Sequence, residues 1–428
     1  MGNVGFGSYR ISHRSSEHRK ALILALENGC RVIDTSANYT NGDSETLIGE
    51  VLLERPEFNP VLITKAGYIQ GKTIEILQEL AHKGEVQEMF DELVDISSNL
   101  KHSIHPEFLS HQLTQSLARL IKDKINYFLL HNPEYYFQQP DPTTPLSQIE
   151  YYRRIEKALL YLESEVLLGR IEAYGISSNN FVLPINDPNV TDLNKIIEII
   201  KKNKLLHFKM IQFPFNLIEI GALEKLGDYG EHSLLEICQN YEIQTVINRP
   251  LNAFSHEKLV RLATYESDYE NLNDDEALKI FNECLDLLRH KWIEGSDEIT
   301  TASDFEETEI IIQLKKLWNT LPTPDAVDQV FNGHFFPFIA RVWGRDLSQK
   351  EADPFFKLNE FSQLYARKNL SLKALSFKKQ AQDVGLLPES SDQPFSTMAI
   401  ETYLDYGFDT VLVGMKKSEY VSQLKHLF

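Results

Sequence analysis

Residues 61–65 read Val61-Leu62-Ile63-Thr64-Lys65, an apolar run that stops at an ionisable side chain. Two other short apolar runs stop in the same way, one at Asp34 and the other at His131. Strands that are buried on both faces of a parallel sheet are continuous apolar runs, and consecutive strands of such a sheet end on the same rim. We therefore predict that these three side chains meet in one place, together with Tyr39, which follows Asp34 closely.

These side chains form a set that suits acid–base chemistry. A carboxylate, a phenol, an ammonium and an imidazole within reach of one another can transfer a proton to or from a carbonyl oxygen. Each residue alone has a plain structural explanation, since Tyr39 could be a rim tyrosine and Asp34 with Lys65 a structural ion pair. Their joint occurrence at successive strand ends favours the functional interpretation.

The chain alternates strand-like and helix-like segments over residues 4–251. The predicted strands are 4–11, 31–36, 61–66, 125–132, 172–178, 207–216, 243–251 and, near the end of the chain, 410–414. Two of the helices between them carry apolar stripes with spacings of three and four residues. The stripe of 106–121 contains Phe108, Leu109, Leu113, Leu117, Leu120 and Ile121, and that of 147–168 contains Ile149, Ile155, Leu159, Leu162, Val166 and Leu167.

Eight strands with helices between them predict an α/β fold of the (β/α)8, or TIM, barrel type. The alternative is an open doubly wound sheet, which normally carries an early G-x-G-x-x-G fingerprint that residues 5–10 do not match. Without the segments 67–105 and 252–390 about 250 residues remain, the usual size of such a barrel.

The domain prediction follows from the same alternation. We expect residues 1–251 and 392–428 to form the barrel, and 252–391 to be a large, mostly helical insertion between strands seven and eight. Each inserted segment follows a strand and precedes a helix, which predicts that both rise from the C-terminal face of the barrel.

Composition limits the partners of the protein. The formal net charge of -19 argues against nucleic acid or an anionic membrane as the main partner. No stretch approaches the ~18 apolar residues of a membrane span. The cysteines Cys30, Cys238 and Cys284 have neither metal-ligand nor redox spacing. We expect a cytoplasmic protein without a metal site, and the sequence leaves its oligomeric state open.

Residues 34–39, Asp34-Thr35-Ser36-Ala37-Asn38-Tyr39, followed by Gly42-Asp43-Ser44-Glu45, resemble the aldo-keto reductase family. The resemblance covers about 1–66, 106–251 and 392–428. It implies a barrel that binds NADP(H) without a Rossmann domain and transfers a hydride reversibly between nicotinamide and an aldehyde or ketone. Further matching stretches follow in the expected order: Ile63-Thr64-Lys65, Leu130-His131-Asn132-Pro133-Glu134, Gly175-Ile176-Ser177-Ser178-Asn179, Gln212 and Val413-Gly414.

The resemblance gives each member of the set a catalytic role. Tyr39 would be the general acid in reduction, and the nearby ammonium of Lys65 would lower the pKa of its phenol. Asp34 would hold Lys65 charged and oriented. His131 would hydrogen-bond the substrate carbonyl, while the cofactor carries the hydride chemistry.

The resemblance also implies a cofactor site, with NADP(H) as the expected cofactor and NAD(H) as the alternative. Arg249 replaces the tyrosine that often stacks on nicotinamide. Tyr420 stands at the usual arginine position near the adenosine phosphate, where Lys416 or Lys417 could supply the cation and Tyr420 could stack on adenine. The implied cofactor-binding residues are Gly7, Ser8, Tyr9 and Asp34, then Ser177, Ser178, Asn179 and Gln212, then Arg249, Pro250 and Leu251, and finally Gly414, Met415, Lys416, Lys417 and Tyr420.

Two functions stay open from the sequence. The first is an NADP(H)-dependent oxidoreductase acting on a small-molecule carbonyl, alcohol or sugar. The second is a nicotinamide-binding regulatory or partner-binding module with little catalysis, because the large insertion could serve a partner or block the pocket. An unrelated barrel hydrolase is disfavoured, since the chain lacks a Gly-x-Ser-x-Gly elbow. Candidate residues for the substrate wall are Tyr68, Phe90, Tyr135, Tyr136 and Phe254.

Overall fold

The computed structural model describes residues 3–84, 88–138, 147–225, 232–255, 258–264, 269, 272–294, 302–389 and 393–428. The strands are β1 (Asn3–Gly7), β2 (Val32–Asp34), β3 (Val61–Ala66), β4 (Tyr68–Gln70), β5 (Val94–Ser97), β6 (Leu100–His102), β7 (Ile125–His131), β8 (Ile171–Ser177), β9 (Phe208–Pro214), β10 (Gln244–Asn248), β11 (Asn252–Ser255), β12 (Lys258–Arg261) and β13 (Thr410–Gly414).

The α-helices alternate with these strands in the first half of the chain and follow one another in the second. They are α1 (Ser16–Glu27), α2 (Asp43–Glu54), α3 (Lys72–His82), α4 (Pro106–Leu120), α5 (Gln148–Leu167), α6 (Leu193–Asn203), α7 (Leu234–Asn240), α8 (Asp274–Glu294), α9 (Ala302–Glu306), α10 (Glu309–Leu317), α11 (Pro324–Val330), α12 (Phe336–Trp343), α13 (Gln349–Asp383), α14 (Phe395–Asp405) and α15 (Ser418–Leu424).

Eight parallel strands close into a barrel in the order β1-β13-β10-β9-β8-β7-β3-β2. The ring closes because β1 pairs with β2 on one side and with β13 on the other. The predicted (β/α)8 barrel, including its eighth strand at 410–414, is therefore confirmed. The first strand ends at Gly7 and not at residue 11, because the chain turns after Ser8, whose carbonyl accepts from the N–H of Ile11 at 3.2 Å.

Apolar side chains from successive strands fill the inside of the barrel, as is usual for this fold. The buried set consists of Val32, Ile63, Leu129, Met210, Val246 and Leu412. Most of the predicted helix stripes are buried or half-buried, but Ile121, Ile149 and Leu167 are exposed. These three lie at helix ends, where the side chains extend past the sheet that the stripe covers.

The segment 67–105, for which no strands were predicted, forms a small sheet of its own. Strands β4, β6 and β5 pair antiparallel in that order, with α3 between β4 and β5 along the chain. Antiparallel hairpin pairing brings β6 back to β4, so that residues from both ends of this segment lie close to the end of β3.

The chain divides into two compact units, Met1–Leu259 with Thr397–Phe428 and Val260–Ser396. The second unit is helical, as predicted for the insertion between strands seven and eight, and has its own core with Trp318, Phe331 and Trp343. Residues 303–318 fall mostly in two helices, α9 and α10, and residues 371–383 form the end of the long α13. The predicted boundary at residue 391 lies outside the described residues.

Two remaining predictions concern membranes and cysteines. Within the described ranges, the chain contains no helix with the length and apolar character needed to cross a membrane. Cys30, Cys238 and Cys284 are buried and unpaired, and burial raises the pKa of the Cys30 thiol to about 11. A thiol with so high a pKa is a weak nucleophile at neutral pH.

Candidate active site

A fully buried ion pair lies at the carboxyl ends of β2 and β3. The ammonium of Lys65 donates to both carboxylate oxygens of Asp34, at 2.7 and 2.6 Å, and to the carbonyl of Thr35 at 2.7 Å. These three acceptors match the three N–H donors of a lysine. Burial lowers the pKa of Lys65, and the facing carboxylate opposes that shift.

The ion pair extends into a hydrogen-bond network that reaches across the barrel. The amide of Gln212, on β9, donates to Asp34 Oδ2 at 2.8 Å, and the hydroxyl of Ser177, on β8, donates to Gln212 Oε1 at 2.8 Å. The hydroxyl of Ser8 donates to the backbone carbonyl of Asp34 at 2.7 Å. This network joins five predicted site residues, which come from four barrel strands and from the turn after β1.

Tyr39 lies directly beside this ion pair. It begins the short 3-10 turn Tyr39–Gly42, and its ring centroid is 5.2 Å from Lys65 Nζ. The ring of His131 lies 6.1 Å from that of Tyr39, centroid to centroid, and the ring of Tyr9 lies 5.1 Å away on an edge-to-face contact. The structure therefore brings the four predicted catalytic side chains into one cluster.

The pKa of Tyr39 shifts in the direction opposite to the one expected from the sequence. Burial raises it well above the ordinary value of a phenol, and the negative charge of Asp34 acts in the same direction. The expected net lowering of this pKa is wrong, because burial and the charge of Asp34 together outweigh the effect of the ammonium of Lys65. The phenol is consequently protonated at neutral pH.

His131, at the end of β7, is held in a neutral state. Its Nδ1 lies 3.0 Å from the hydroxyl of Ser36, which in turn lies 2.7 Å from Asn38 Oδ1 and 3.0 Å from the carbonyl of Lys65. Burial, followed by the positive charge of Lys65, lowers the pKa of His131 well below its usual value. A neutral imidazole has one ring nitrogen that donates a hydrogen bond and one that accepts.

Two further candidate wall residues, Tyr68 and Tyr135, pack near His131. The ring of Tyr68 packs edge-to-face on His131 with centroids 4.7 Å apart, and Tyr135 packs on Tyr68 at 5.0 Å. Two other candidate wall residues lie elsewhere. Tyr136 packs with Phe137 and Tyr151, Phe90 is 40% exposed, and the side chain of Phe254 is outside the described residues.

Two predicted glycines meet at the rim between β1 and β13. Gly7 and Gly414 are paired in register, and a Cβ added to Gly414 would meet no atom within 4 Å. The backbone at this point is therefore accessible to a ligand. Met415 is buried, whereas Lys416 and Lys417 are half-exposed. Tyr420, also half-exposed, lies in the following helix, α15.

The predicted residues after β8 are engaged by the protein itself. The hydroxyl of Ser178 contacts Thr191 and accepts from the N–H of Asn180. Of the two serines, it is Ser177 that is hydrogen-bonded to Gln212. The N–H of Asn179 donates to a carboxylate oxygen of Glu134 at 2.8 Å.

The predicted residues after β10 are likewise fixed by neighbouring groups. Arg249 forms an ion pair with Glu219 at 3.0 Å, and burial lowers the pKa of its guanidinium. The carbonyl of Pro250 accepts from the hydroxyl of Tyr403 at 3.1 Å, and Leu251 is buried.

Three polar residues near the cluster escaped the sequence predictions. Ser36 lies within the motif that carries the family resemblance, so the sequence could have identified it as a site residue. Glu134 ends the quoted stretch after β7, and burial raises its pKa to about 7. His102 comes from the inserted segment 67–105, where no strand pattern pointed to it.

No cluster of metal-ligating side chains accompanies this site. Across the described parts of the chain, His, Cys, Asp and Glu side chains nowhere form a group of three or more that could hold a metal ion.

A closed barrel with ionisable side chains at the carboxyl ends of its strands has the layout of a barrel enzyme. The model of the Aldo/keto reductase family matches residues 2–301. The chain belongs to the aldo/keto reductase family, a family of NAD(P)H-dependent oxidoreductases. The matched residues include the whole cluster around Tyr39 and end before β13.

The relatives are distant. The NADH-specific methylglyoxal reductase of Escherichia coli is 22% identical over 230 residues, which are 54% of this chain and 55% of that protein. The chain thus spans about half the length of this curated relative. Among solved structures, the glycerol dehydrogenase from Gluconobacter oxydans is 17% identical, with a TM-score of 0.48 and coverage of 99% and 86% of the two chains. An aldo/keto reductase from Klebsiella pneumoniae, in complex with NADP and acetate, is 16% identical, with a TM-score of 0.35 and coverage of 84% and 91%.

The raised pKa of Glu134 predicts a pH-dependent stability. The folded protein binds this proton more tightly than the unfolded chain, so the contribution is present at low pH and is lost as the pH rises to about 7. Glu134→Gln removes the titration but keeps an oxygen for the N–H of Asn179. When the pH rises from 5 to 8, the unfolding free energy of the wild type should fall by roughly 2 to 3 kcal/mol more than that of the variant.

Urea denaturation of both proteins at the two pH values measures this difference. Comparing each protein with itself cancels any pH-independent effect of the substitution. Equal pH dependence in the two proteins would mean that Glu134 does not titrate with a raised pKa.

Proposed function

We propose that the chain catalyses reversible hydride transfer between a nicotinamide cofactor and an aldehyde or ketone, or the corresponding alcohol or sugar. Tyr39 acts as the general acid in reduction and as the base in oxidation. The observation that carries the proposal is the juxtaposition of Tyr39 and His131 beside the buried Asp34–Lys65 pair. Family membership supports the same reaction class.

The residues at the rim fit a dinucleotide. The amide of Gln212 and the hydroxyl of Ser177 offer the donors and acceptors that a nicotinamide carboxamide requires, with Ser178 and Asn179 following them in the chain. Gly414, which is paired in register with Gly7, leaves room for a ligand at the backbone.

The remaining proposed cofactor contacts come from charged and aromatic groups. The planar guanidinium of Arg249 can stack on an aromatic ring, and the ammonium groups of Lys416 and Lys417 attract phosphate. Tyr9, whose ring is 62% exposed, is available beside the nicotinamide position, and Tyr420 beside the adenosine end.

Reduction requires one proton for the carbonyl oxygen as the carbon receives a hydride. A bound reduced nicotinamide supplies that hydride. The protonated phenol of Tyr39 supplies the proton, which leaves a phenolate. Because Lys65 Nζ is 5.2 Å from the ring centroid, its positive charge favours that phenolate and opposes the effect of burial. Asp34 keeps Lys65 charged and fixed in place.

His131 orients the carbonyl in this proposal. This role requires that the hydroxyl of Ser36 direct its single proton to Nδ1, and not to Asn38 Oδ1 or the carbonyl of Lys65, so that the imidazole carries its own proton on Nε2. That nitrogen can then donate a hydrogen bond to the carbonyl oxygen. The lowered pKa of His131 keeps the imidazole neutral, so that it binds the carbonyl without competing with Tyr39 as the acid.

NADP(H) is the proposed cofactor, with NAD(H) as the alternative. Lys416 and Lys417 favour a cofactor with a 2′-phosphate, whereas the curated relative from Escherichia coli is described as NADH-specific. The substrate class is a small carbonyl compound, and the same relative acts on methylglyoxal by its name. The alternative is a nicotinamide-binding module without catalysis, and oxidation of bound NADPH by aldehydes distinguishes the two.

Tyr39→Phe tests the general acid. The variant keeps the ring contacts with Tyr9 and His131 but has no proton to donate, so the rate of carbonyl reduction should fall about 10²–10⁴-fold. The dissociation constant of NADPH should stay within about twofold, because no cofactor contact is removed. Stopped-flow oxidation of bound NADPH by a panel of aldehydes measures the rate.

Tyr241→Phe is the control, since it removes a partly exposed phenol that belongs neither to the cluster nor to the proposed cofactor contacts, and it should retain the activity. Wild-type turnover in Tyr39→Phe would contradict the assigned acid. Tight NADPH binding by the wild type without oxidation by any aldehyde would favour the non-catalytic module.

Lys416 and Lys417 test the cofactor preference. Replacing both with alanine should weaken NADPH binding about tenfold, the effect of losing roughly 1.4 kcal/mol of phosphate interaction, and should change NADH binding much less. Lys425→Ala, a change beyond α15, is the control. Fluorescence titration with both cofactors measures the constants, and an equal loss for NADPH and NADH would contradict a 2′-phosphate contact.

A further inference from the structure

His102 ties the inserted segment 67–105 to the end of β7. Its Nε2 lies 2.7 Å from the backbone carbonyl oxygen of His131. We propose that His102 is a positioning residue for the reaction. By donating this hydrogen bond, it holds His131 in the orientation that carbonyl binding requires, and Tyr68, packed on the ring of His131, contributes to the same restraint. The inference rests on the proposed function and adds to it a residue from outside the barrel strands.

The donor in this hydrogen bond is defined by chemistry. A carbonyl oxygen only accepts, so Nε2 of His102 must carry the proton. Burial lowers the pKa of His102 to about 4, and the imidazole therefore stays neutral over the working range of most enzymes. The side chain is 2% exposed, which keeps water from replacing the bond.

Gly67 makes this contact sterically feasible. A Cβ at this position would lie 2.2 Å from the carbonyl oxygen of His131 and 2.6 Å from Nε2 of His102, closer than real Cβ atoms approach. The carbonyl of Gly67 also accepts from the N–H of Ser103 at 2.9 Å. The ends of β3, β6 and β7 are thus brought together around one residue that has no side chain.

Tyr68 restrains the imidazole of His131 from the same inserted segment. Its ring packs on His131 at 84°, and its hydroxyl accepts from the amide of Asn132 at 2.6 Å. Tyr135 packs against Tyr68 and stacks on His102 with centroids 5.5 Å apart. The hydroxyl of Ser36 contacts the imidazole of His131 at Nδ1.

Held by Ser36 at Nδ1, by Tyr68 at the ring and by His102 through the backbone, His131 has little rotational freedom. Catalysis is sensitive to such restraint, because a displacement of about 1 Å in a positioning group can cost roughly 10² in rate. The carbonyl-binding geometry would then depend on the segment 67–105, although the barrel strands supply the reacting groups.

Two substitutions of His102 separate positioning from stability. His102→Gln retains an N–H donor near the place of Nε2, whereas His102→Leu removes the donor and keeps much of the volume. We expect His102→Leu to lower kcat/KM for a carbonyl substrate about 10- to 100-fold, with an unchanged dissociation constant for NADPH, and His102→Gln to recover most of the loss. Gly67→Ala should reproduce the effect of His102→Leu, because its methyl group displaces the same contact.

The imidazole signals of His131 give a readout that does not depend on activity. In ¹⁵N-labelled protein they should shift in His102→Leu and return towards wild type in His102→Gln. A merely structural role would lower the melting temperature, NADPH binding and activity together, without rescue by glutamine. Unchanged kcat/KM and unchanged His131 signals in His102→Leu would overturn the inference.

Failure of the proposed function would look different. In that case wild-type protein would oxidise no bound NADPH with any carbonyl. The His131 signals would still decide whether His102 positions that ring, since they are measured without substrate.

Discussion

The buried pair of Lys65 and Asp34 is the interaction on which the rest of the site depends. Removing two charges from water is costly unless each finds its partner and its remaining hydrogen bonds. Here the carboxylate receives the ammonium and the amide of Gln212, and the ammonium also reaches the carbonyl of Thr35. Such a pair is tolerated because the barrel holds every partner in place.

Barrel closure explains how residues distant in sequence meet. Asp34 and Gln212 are separated by 178 positions and yet are hydrogen-bonded, because parallel strands end on one rim of the ring. The charge of Lys65 and the raised pKa of Tyr39 then act on each other. The phenol holds its proton in the free protein, and the ammonium stabilises the phenolate that forms when the proton leaves.

The sequence predicted the barrel and the grouping of Asp34, Tyr39, Lys65 and His131, because an apolar run that stops at an ionisable residue identifies a strand end. It could not show how completely Tyr39 is buried, so the pKa of Tyr39 was predicted in the wrong direction. His102 was also beyond reach, since its contact with His131 depends on how the segment 67–105 folds back. The predicted apolar stripes are also wrong at the helix ends, where residues such as Ile121 are exposed.

The most direct measurement is a crystal structure of the protein with NADP⁺ and an unreactive carbonyl analogue. The account predicts that the analogue's carbonyl oxygen lies within hydrogen-bond distance of both Tyr39 Oη and His131 Nε2, with Lys65 still bound to Asp34. A carbonyl oxygen bound away from Tyr39 and His131, or a dinucleotide bound away from Gln212 and Ser177, would contradict it.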